Sequence, residues 1–278
     1  MEDTSRRRVL GGMLAAGAVT LGAAGQASAA TGGSGGGGTV RPTVVLVHGV
    51  FADASGWGAV TASLLDAGYQ VIAPANPLRD LAGDSAYVSS VVASLTGPVI
   101  LVGHSYGGEV ITNAGRGHAH VKALVYVAAF APDEGETALE LADKYPGSRL
   151  KPALVARPYP VPAGSPDPGL DGYIDPAKFH DVFAQDLPRS RTRIMATAQR
   201  PGSLGGLGSP SGVPAWKSLP SWYVVAGADR VIPPAVQRFM AGRAGSRTVE
   251  VRGASHVVMM SRPDAVVRQI RAADRATR

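Results

Sequence analysis

The sequence predicts an α/β class: an about six-stranded, mainly parallel sheet with helices on both faces and a helical cap insertion. Short runs of near-continuous Val, Ile and Leu recur along the chain, as strands buried on both faces of a parallel sheet require. They alternate with segments of helical period, the rhythm of βαβ crossovers. The alternation breaks over about residues 131–219, which are rich in Pro and Gly, and then resumes.

The first strand is Thr43–Val47, followed by a helix over 58–67 with Val60, Leu64 and Leu65 on one face. Residues 70–73 form the second strand, and 85–95 a helix carrying Val88, Val91, Val92 and Leu95. Strands at 99–102 and 123–127 lie on either side of a helix that follows Ser105. The interruption holds helical patches near 137–144, 176–186 and 189–199. A long insertion in such a chain usually covers an active site, and Tyr159, Tyr173, Phe179, Phe183 and Trp216 have no sheet face of their own to cover. The sheet continues with Ser221–Ala226, a helix over 234–241, a strand at 248–251 and a final helix from about Pro263.

The first 29 residues read as a leader. Ser5-Arg6-Arg7-Arg8-Val9-Leu10 matches the twin-arginine pattern, an uncharged apolar segment runs to about Ala24, and Ala27-Ser28-Ala29 offers a cleavage site. The apolar run is too rich in Gly and Ala for a stable membrane anchor. Residues 30–40 are a Gly-rich linker, and 41–278 form the catalytic domain. The pattern implies a precursor folded in the cytoplasm, handled by the twin-arginine export machinery and then secreted.

Composition removes several alternatives. With no cysteine there is no disulfide, thiolate nucleophile or Cys-based metal site. The formal charge of +6 falls by one on cleavage after Ala29, and the basic residues are scattered. Their densest cluster beyond the leader, Arg189, Arg191 and Arg193, reads as a solvated helix face, so no nucleic-acid partner is expected.

The most informative motif is Gly103-His104-Ser105-Tyr106-Gly107, with a strand before it and a helix after it. A serine on so sharp a strand-to-helix turn is a nucleophile elbow, and a Cβ at Gly103 or Gly107 would clash across it. A serine hydroxyl needs a base, and the base needs an orienting acid. Asp229 follows the strand ending at Ala226, and His256 follows the strand ending at Val251. Both occupy carboxyl ends of parallel strands, where open α/β sheets place their sites. Asp133, after the fourth strand, competes for the acid's role. Among the other histidines, His48 reads as a structural residue of the first loop, and His104 points away from the Ser105 side. His118, His120 and His180 fall in loops or the cap, where solvent exposure is expected. The oxyanion donors expected are the amides of Val50 and Tyr106. Glu109, one turn beyond Ser105, reads as solvated or paired with the cap, although a charge there could raise the pKa of His256.

Residues 41–275 thus resemble the α/β-hydrolase superfamily. Within it, Asp229-Arg230-Val231-Ile232-Pro233, Gln237-Arg238-Phe239 and His256-Val257-Val258-Met259 are similar to the group of plant methyl esterases and hydroxynitrile lyases. The resemblance implies the α/β-hydrolase fold and a cofactor-free, metal-free enzyme with a helical cap over a mostly apolar pocket. It also implies Ser105, Asp229 and His256 as the triad, cleaving a small-molecule carboxylic ester through an acyl-enzyme. The lyases of that group carry Thr and Lys where this chain has Gly49 and Val257, so the cyanide-stabilising cation is missing. Hydroxynitrile-lyase-like C–C cleavage is therefore the lesser alternative, beside a non-catalytic small-molecule binder of the same fold.

Overall fold

Strand β1 (Thr43–Val47) pairs in parallel with β2 (Gln70–Ile72) on one side and with β3 (Val99–His104) on the other. These strands belong to a computed structural model that describes residues 40–165 and 169–278. The leader and most of the linker lie outside the described residues. Beyond β3 the sheet adds β4 (Val121–Val127), β8 (Ser221–Ala226) and β9 (Arg247–Val251), all parallel, in the order β2-β1-β3-β4-β8-β9. Every residue of β1, β3 and β8 is buried. Successive side chains point to opposite faces, so both faces of the sheet must be covered.

Two groups of helices provide that cover. Helix α1 (Gly58–Asp66) packs with α10 (Pro263–Thr277), and α10 lies against β4 and β8. Helix α2 (Leu81–Ala93) packs with α3 (Tyr106–Ala114), which lies against β3 and β4. Helix α8 (Pro234–Arg243) packs on β8, and the short α9 (Val258–Ser261) joins α10 and α1. Helix α2 starts four residues before the expected Ser85, because the Asp80 carboxylate caps it by accepting the Gly83 amide at 2.7 Å. Its first turn, Leu81-Ala82-Gly83-Asp84, contains a glycine that obscures the helical pattern in the sequence.

The insertion between β4 and β8 is not purely helical, which corrects the expectation. It holds α4 (Ala138–Asp143), α5 (Pro176–Phe183), α6 (Arg189–Thr197) and α7 (Leu204–Leu207). It also holds a three-stranded antiparallel sheet of β5 (Leu154–Pro158), β6 (Leu170–Ile174) and β7 (Gly202–Ser203). β5 is an exposed edge strand that ends at a proline, a position a sheet tolerates only at its margin.

Candidate active site

Ser105 sits between β3 and α3 with φ 54° and ψ −126°, a conformation costing a side chain about 1–3 kcal/mol. The turn closes only on glycine. A Cβ at Gly103 would stand 2.5 Å from the carbonyl oxygen of Gly107, and one at Gly107 would collide with the carbonyl oxygen of Val47. The first loop approaches as closely: a Cβ at Gly49 would lie 2.6 Å from the Cβ of Ser105 and 3.1 Å from the Tyr106 nitrogen.

The expected acid and base meet. His256 Nδ1 lies 2.7 Å from Asp229 Oδ2, and both side chains are fully buried. The other Asp229 oxygen accepts the amides of Val231 (2.7 Å) and Ile232 (3.1 Å). Gln237 Nε2 donates to Asp229 Oδ2 at 2.8 Å and to the carbonyl of Ile232, while its oxygen accepts the Ala226 amide. A carboxylate can only accept, so His256 donates through Nδ1, the hydrogen bond that selects the tautomer with its lone pair on Nε2. That nitrogen has no hydrogen-bond partner among the described residues. His104 supports the ring from behind: its Nε2 donates to the His256 carbonyl at 2.9 Å, and the two rings stand 4.7 Å apart. Burial and the neighbouring His256 hold His104 well below the usual histidine pKa, so it is a neutral prop.

The loop carrying Val50 is tied at both ends. His48 Nε2 accepts the Asn76 amide at 3.1 Å, so its Nδ1 carries the proton, and burial lowers its pKa. Phe51 holds a left-handed φ of 63°, and its N–H donates to the carbonyl of Arg200 in the cap at 2.8 Å. Between these anchors the Val50 amide has no acceptor among the described residues, and neither has the Tyr106 amide at the start of α3. Two free N–H groups beside a strained serine are the donor set an oxyanion requires.

The remaining candidates lie elsewhere. Asp133 forms a 2.6 Å ion pair with Lys217, which holds its carboxyl below the usual range. His118 meets Ser89 Oγ at 2.8 Å, His120 donates to the carbonyl of Val92 at 3.1 Å, and His180 meets Thr192 Oγ1 at 3.1 Å, so all three have structural partners. Glu109 departs from expectation. It is completely buried, neither carboxyl oxygen has a hydrogen-bond partner among the described residues, and burial raises its pKa well above the ordinary value. It is not solvated, and it pairs with none of the described residues of the cap.

The cap closes over this arrangement: Ser105 is 2% exposed and His256 not at all. Of the cap aromatics, Phe183 packs on His256 with ring centroids 5.1 Å apart, and it touches Phe179 and Phe51 as well. Tyr159 and Tyr173 instead lie under the guanidinium groups of Arg79 and Arg157, and Trp216 Nε1 donates to the carbonyl of Pro132. An apolar recess of about 120 Å³ lies between Phe51 of the first loop, Ile194 and Met195 of α6, and Met260 of α9. Sequence reasoning missed Gln237 as the residue that fixes Asp229, and it missed the cap carboxylate of Asp186 beside Ser255. Among the described residues, no group of three or more His, Cys, Asp or Glu could hold a metal ion, and no helix is long and apolar enough to cross a membrane.

Comparison with known proteins agrees with this architecture. Residues 44–269 match the model of the alpha/beta hydrolase family. A carbendazim-hydrolysing esterase of Nocardioides sp. (strain SG-4G) is 34% identical over 113 residues, 36% of this chain and 47% of that protein. Thus the match spans about half the length of that relative. Methylesterase 1 of Arabidopsis thaliana is 26% identical over 239 residues, 79% of this chain and 90% of that protein. The crystal structure of polyneuridine aldehyde esterase superposes with a TM-score of 0.73 at 23% identity, covering 84% of this chain and all of the other.

Proposed function

Because the chain belongs to the alpha/beta hydrolase family and is a carboxylic ester hydrolase, we propose that it cleaves small-molecule esters in two acyl-transfer steps run by Ser105, His256 and Asp229. His256 Nε2 takes the proton of Ser105 Oγ as that oxygen attacks the ester carbonyl. The amides of Val50 and Tyr106 receive the charge that develops on the carbonyl oxygen. His256 then returns its proton to the departing alcohol, leaving an acyl-serine. Water, deprotonated by the same nitrogen, attacks the acyl carbon, and Ser105 leaves with the proton as the acid is released. Asp229 keeps the imidazole in the required tautomer and stabilises its charged form.

The observation that carries this reading is the 2.7 Å contact between His256 Nδ1 and Asp229 Oδ2, which leaves Nε2 free. The ring of Phe183 on His256, backed by those of Phe51 and Phe179, favours an ester whose acyl or alcohol group is apolar. A buried Val257 in place of a lysine argues against cyanohydrin cleavage, which needs a cation there. The deciding experiment is labelling by a fluorophosphonate together with turnover of a p-nitrophenyl ester panel. Ser105→Ala should abolish both, with a loss on the order of 10⁶ in kcat. A wild-type protein that neither labels nor turns over any ester is a binder of the same fold. The reading includes export: the leader of residues 1–29 is proposed to send the folded enzyme out of the cell by the twin-arginine route.

A further inference from the structure

The loop carrying His256 starts at the margin of the sheet. It leaves β9, an edge strand that among the described residues pairs only with β8 and is exposed or half-buried throughout. It then turns through Gly253, with φ 72°. The sheet therefore supports this loop from one side only, and the base must be held from elsewhere.

A short piece of the cap supplies the hold. Helix α5 ends at Phe183, whose ring lies on the imidazole of His256. Two residues on, Gln185 Nε2 donates to the carbonyl of Ala228, the residue before Asp229, at 2.7 Å. Asp186 then takes both donors of Ser255, the residue before His256: the backbone N–H at 3.0 Å and Oγ–H at 2.5 Å. Ser255 Oγ in turn accepts the amide of Val257, the residue after His256, at 3.3 Å. The backbone on both sides of His256 thus hangs from one carboxylate 69 residues before Ser255 in the chain. The acid loop joins the same assembly, because the Ala228 amide donates to the carbonyl of Ala254 at 2.9 Å. Hydrogen bonds to an ionised carboxylate are roughly twice as strong as neutral ones, which suits Asp186 to this task.

We propose that Asp186 is a positioning residue: by clasping Ser255 it holds His256 against Asp229 and under Phe183, so that seating the cap and aligning the base are one event. This rests on the assignment of His256 as the general base. The cap then does more than shape a pocket, since its seated position is the one in which the proton-transfer machinery is aligned. A misplacement of about 1 Å in such a group can cost on the order of 10² in rate.

The test compares the full-length wild type with Asp186→Ala, Asp186→Asn, Asp186→Glu and Ser255→Ala. It measures kcat and KM on small and bulky p-nitrophenyl esters, thermal stability, and the low-field proton resonance of the His256–Asp229 hydrogen bond. Asp186→Ala should lower kcat by about 10- to 100-fold on small and bulky esters alike, with KM for the smallest nearly unchanged. The low-field resonance should broaden or vanish while the fold persists. Asp186→Glu, which keeps the carboxylate, should recover part of both signals, and adding Ser255→Ala to Asp186→Ala should cause little further loss. An unchanged resonance with losses confined to KM of bulky esters would show that Asp186 only shapes the cap, and kcat losses that track thermal stability would show plain support of the fold. Either result overturns the proposal. If Asp186→Ala does not fold, Asp186→Asn and Ser255→Ala carry the same comparison. The resonance is read without substrate, so it judges Asp186 even if the wild type proves inactive on every ester.

Discussion

Lys217 Nζ lies 2.6 Å from Asp133 Oδ1, and this ion pair occupies the second acid of the sequence at the base of the cap. Asp229, by contrast, receives four donors, of which His256 is one. Asp229→Asn should therefore lower kcat by roughly 10⁴, the loss expected when the acid can no longer fix the imidazole tautomer. Asp133→Asn removes a half-exposed ion pair and should leave kcat nearly unchanged. Steady-state kinetics of the two variants, measured side by side, checks this; a larger loss for Asp133→Asn reverses the assignment.

The elements that place the site were legible because they follow simple rules. Fully buried strands read as runs of Val and Ile, and Asp229 and His256 stand in the loops directly after two of the sheet's strands. What the sequence concealed depends on distant partners. Gln237 looks like any polar residue of a surface helix until α8 turns it onto Asp229 and Ala226. Asp186 finds its partner only through the fold. The burial of Glu109 runs against expectation because charged groups are almost never buried without a partner. The cap sheet leaves little trace in the pattern because β7 is two residues long and β5 ends in proline, so neither shows a strand period.

The approach of the first loop to Ser105 gives a steric prediction. A Cβ at Gly49 would press on the Cβ of Ser105 at 2.6 Å and on the carbonyl oxygen of His104 at 2.8 Å. Both are held by the elbow and cannot yield cheaply. Gly49→Ala should displace the Val50 amide from Ser105 and lower kcat by about 10²–10³, the loss seen when one oxyanion donor is removed. Gly242→Ala, on the exposed face of α8 where no neighbouring atom lies near, serves as the control. Equal activity in Gly49→Ala and the wild type would show that the loop is more pliant than its contacts imply.

The proposed export is tested in the cell. Replacing Arg6 and Arg7 by Lys in the precursor keeps the charge of the leader but removes the paired arginines the twin-arginine route reads. The precursor should then stay inside, with the bond between Ala29 and Ala30 uncleaved, while wild type appears outside as a shorter chain. N-terminal sequencing of the secreted form checks the site, and undiminished secretion of the double variant would point to another route.

Glu109 makes stability depend on pH in a defined direction. Its folded pKa is raised well above 4.5 by burial, and its unfolded value stays near 4.5. Between the two the folded chain binds more protons than the unfolded one, so stability falls as pH rises from about 4.5 until the folded carboxyl ionises. Below about pH 4.5 this penalty is absent. Glu109→Gln cannot ionise and should lack this component, and Glu109→Met should raise thermal stability by removing two unpartnered buried oxygens, worth about 1–3 kcal/mol. Denaturant midpoints across pH for wild type and Glu109→Gln give the difference curve. A flat difference would mean that Glu109 ionises alike in both states.

Phe183 connects the cap to substrate choice. Its ring lies between His256, Phe179 and Phe51 and is wholly buried, so truncation opens space directly over the imidazole of His256. Removing a buried phenylalanine costs about 3–5 kcal/mol of stability when the cavity cannot collapse. The larger space should favour longer acyl groups, whose burial returns about 0.8 kcal/mol per methylene. Phe183→Ala should therefore lose kcat/KM on acetyl esters while losing less, or gaining, on hexanoyl and octanoyl esters. Phe179 touches Phe183 rather than His256, so Phe179→Ala should shift this preference less. An acyl-length series on both variants, with thermal stability recorded for each, separates the two roles. A uniform fall across the series in step with stability would mean that Phe183 only fills the cap core.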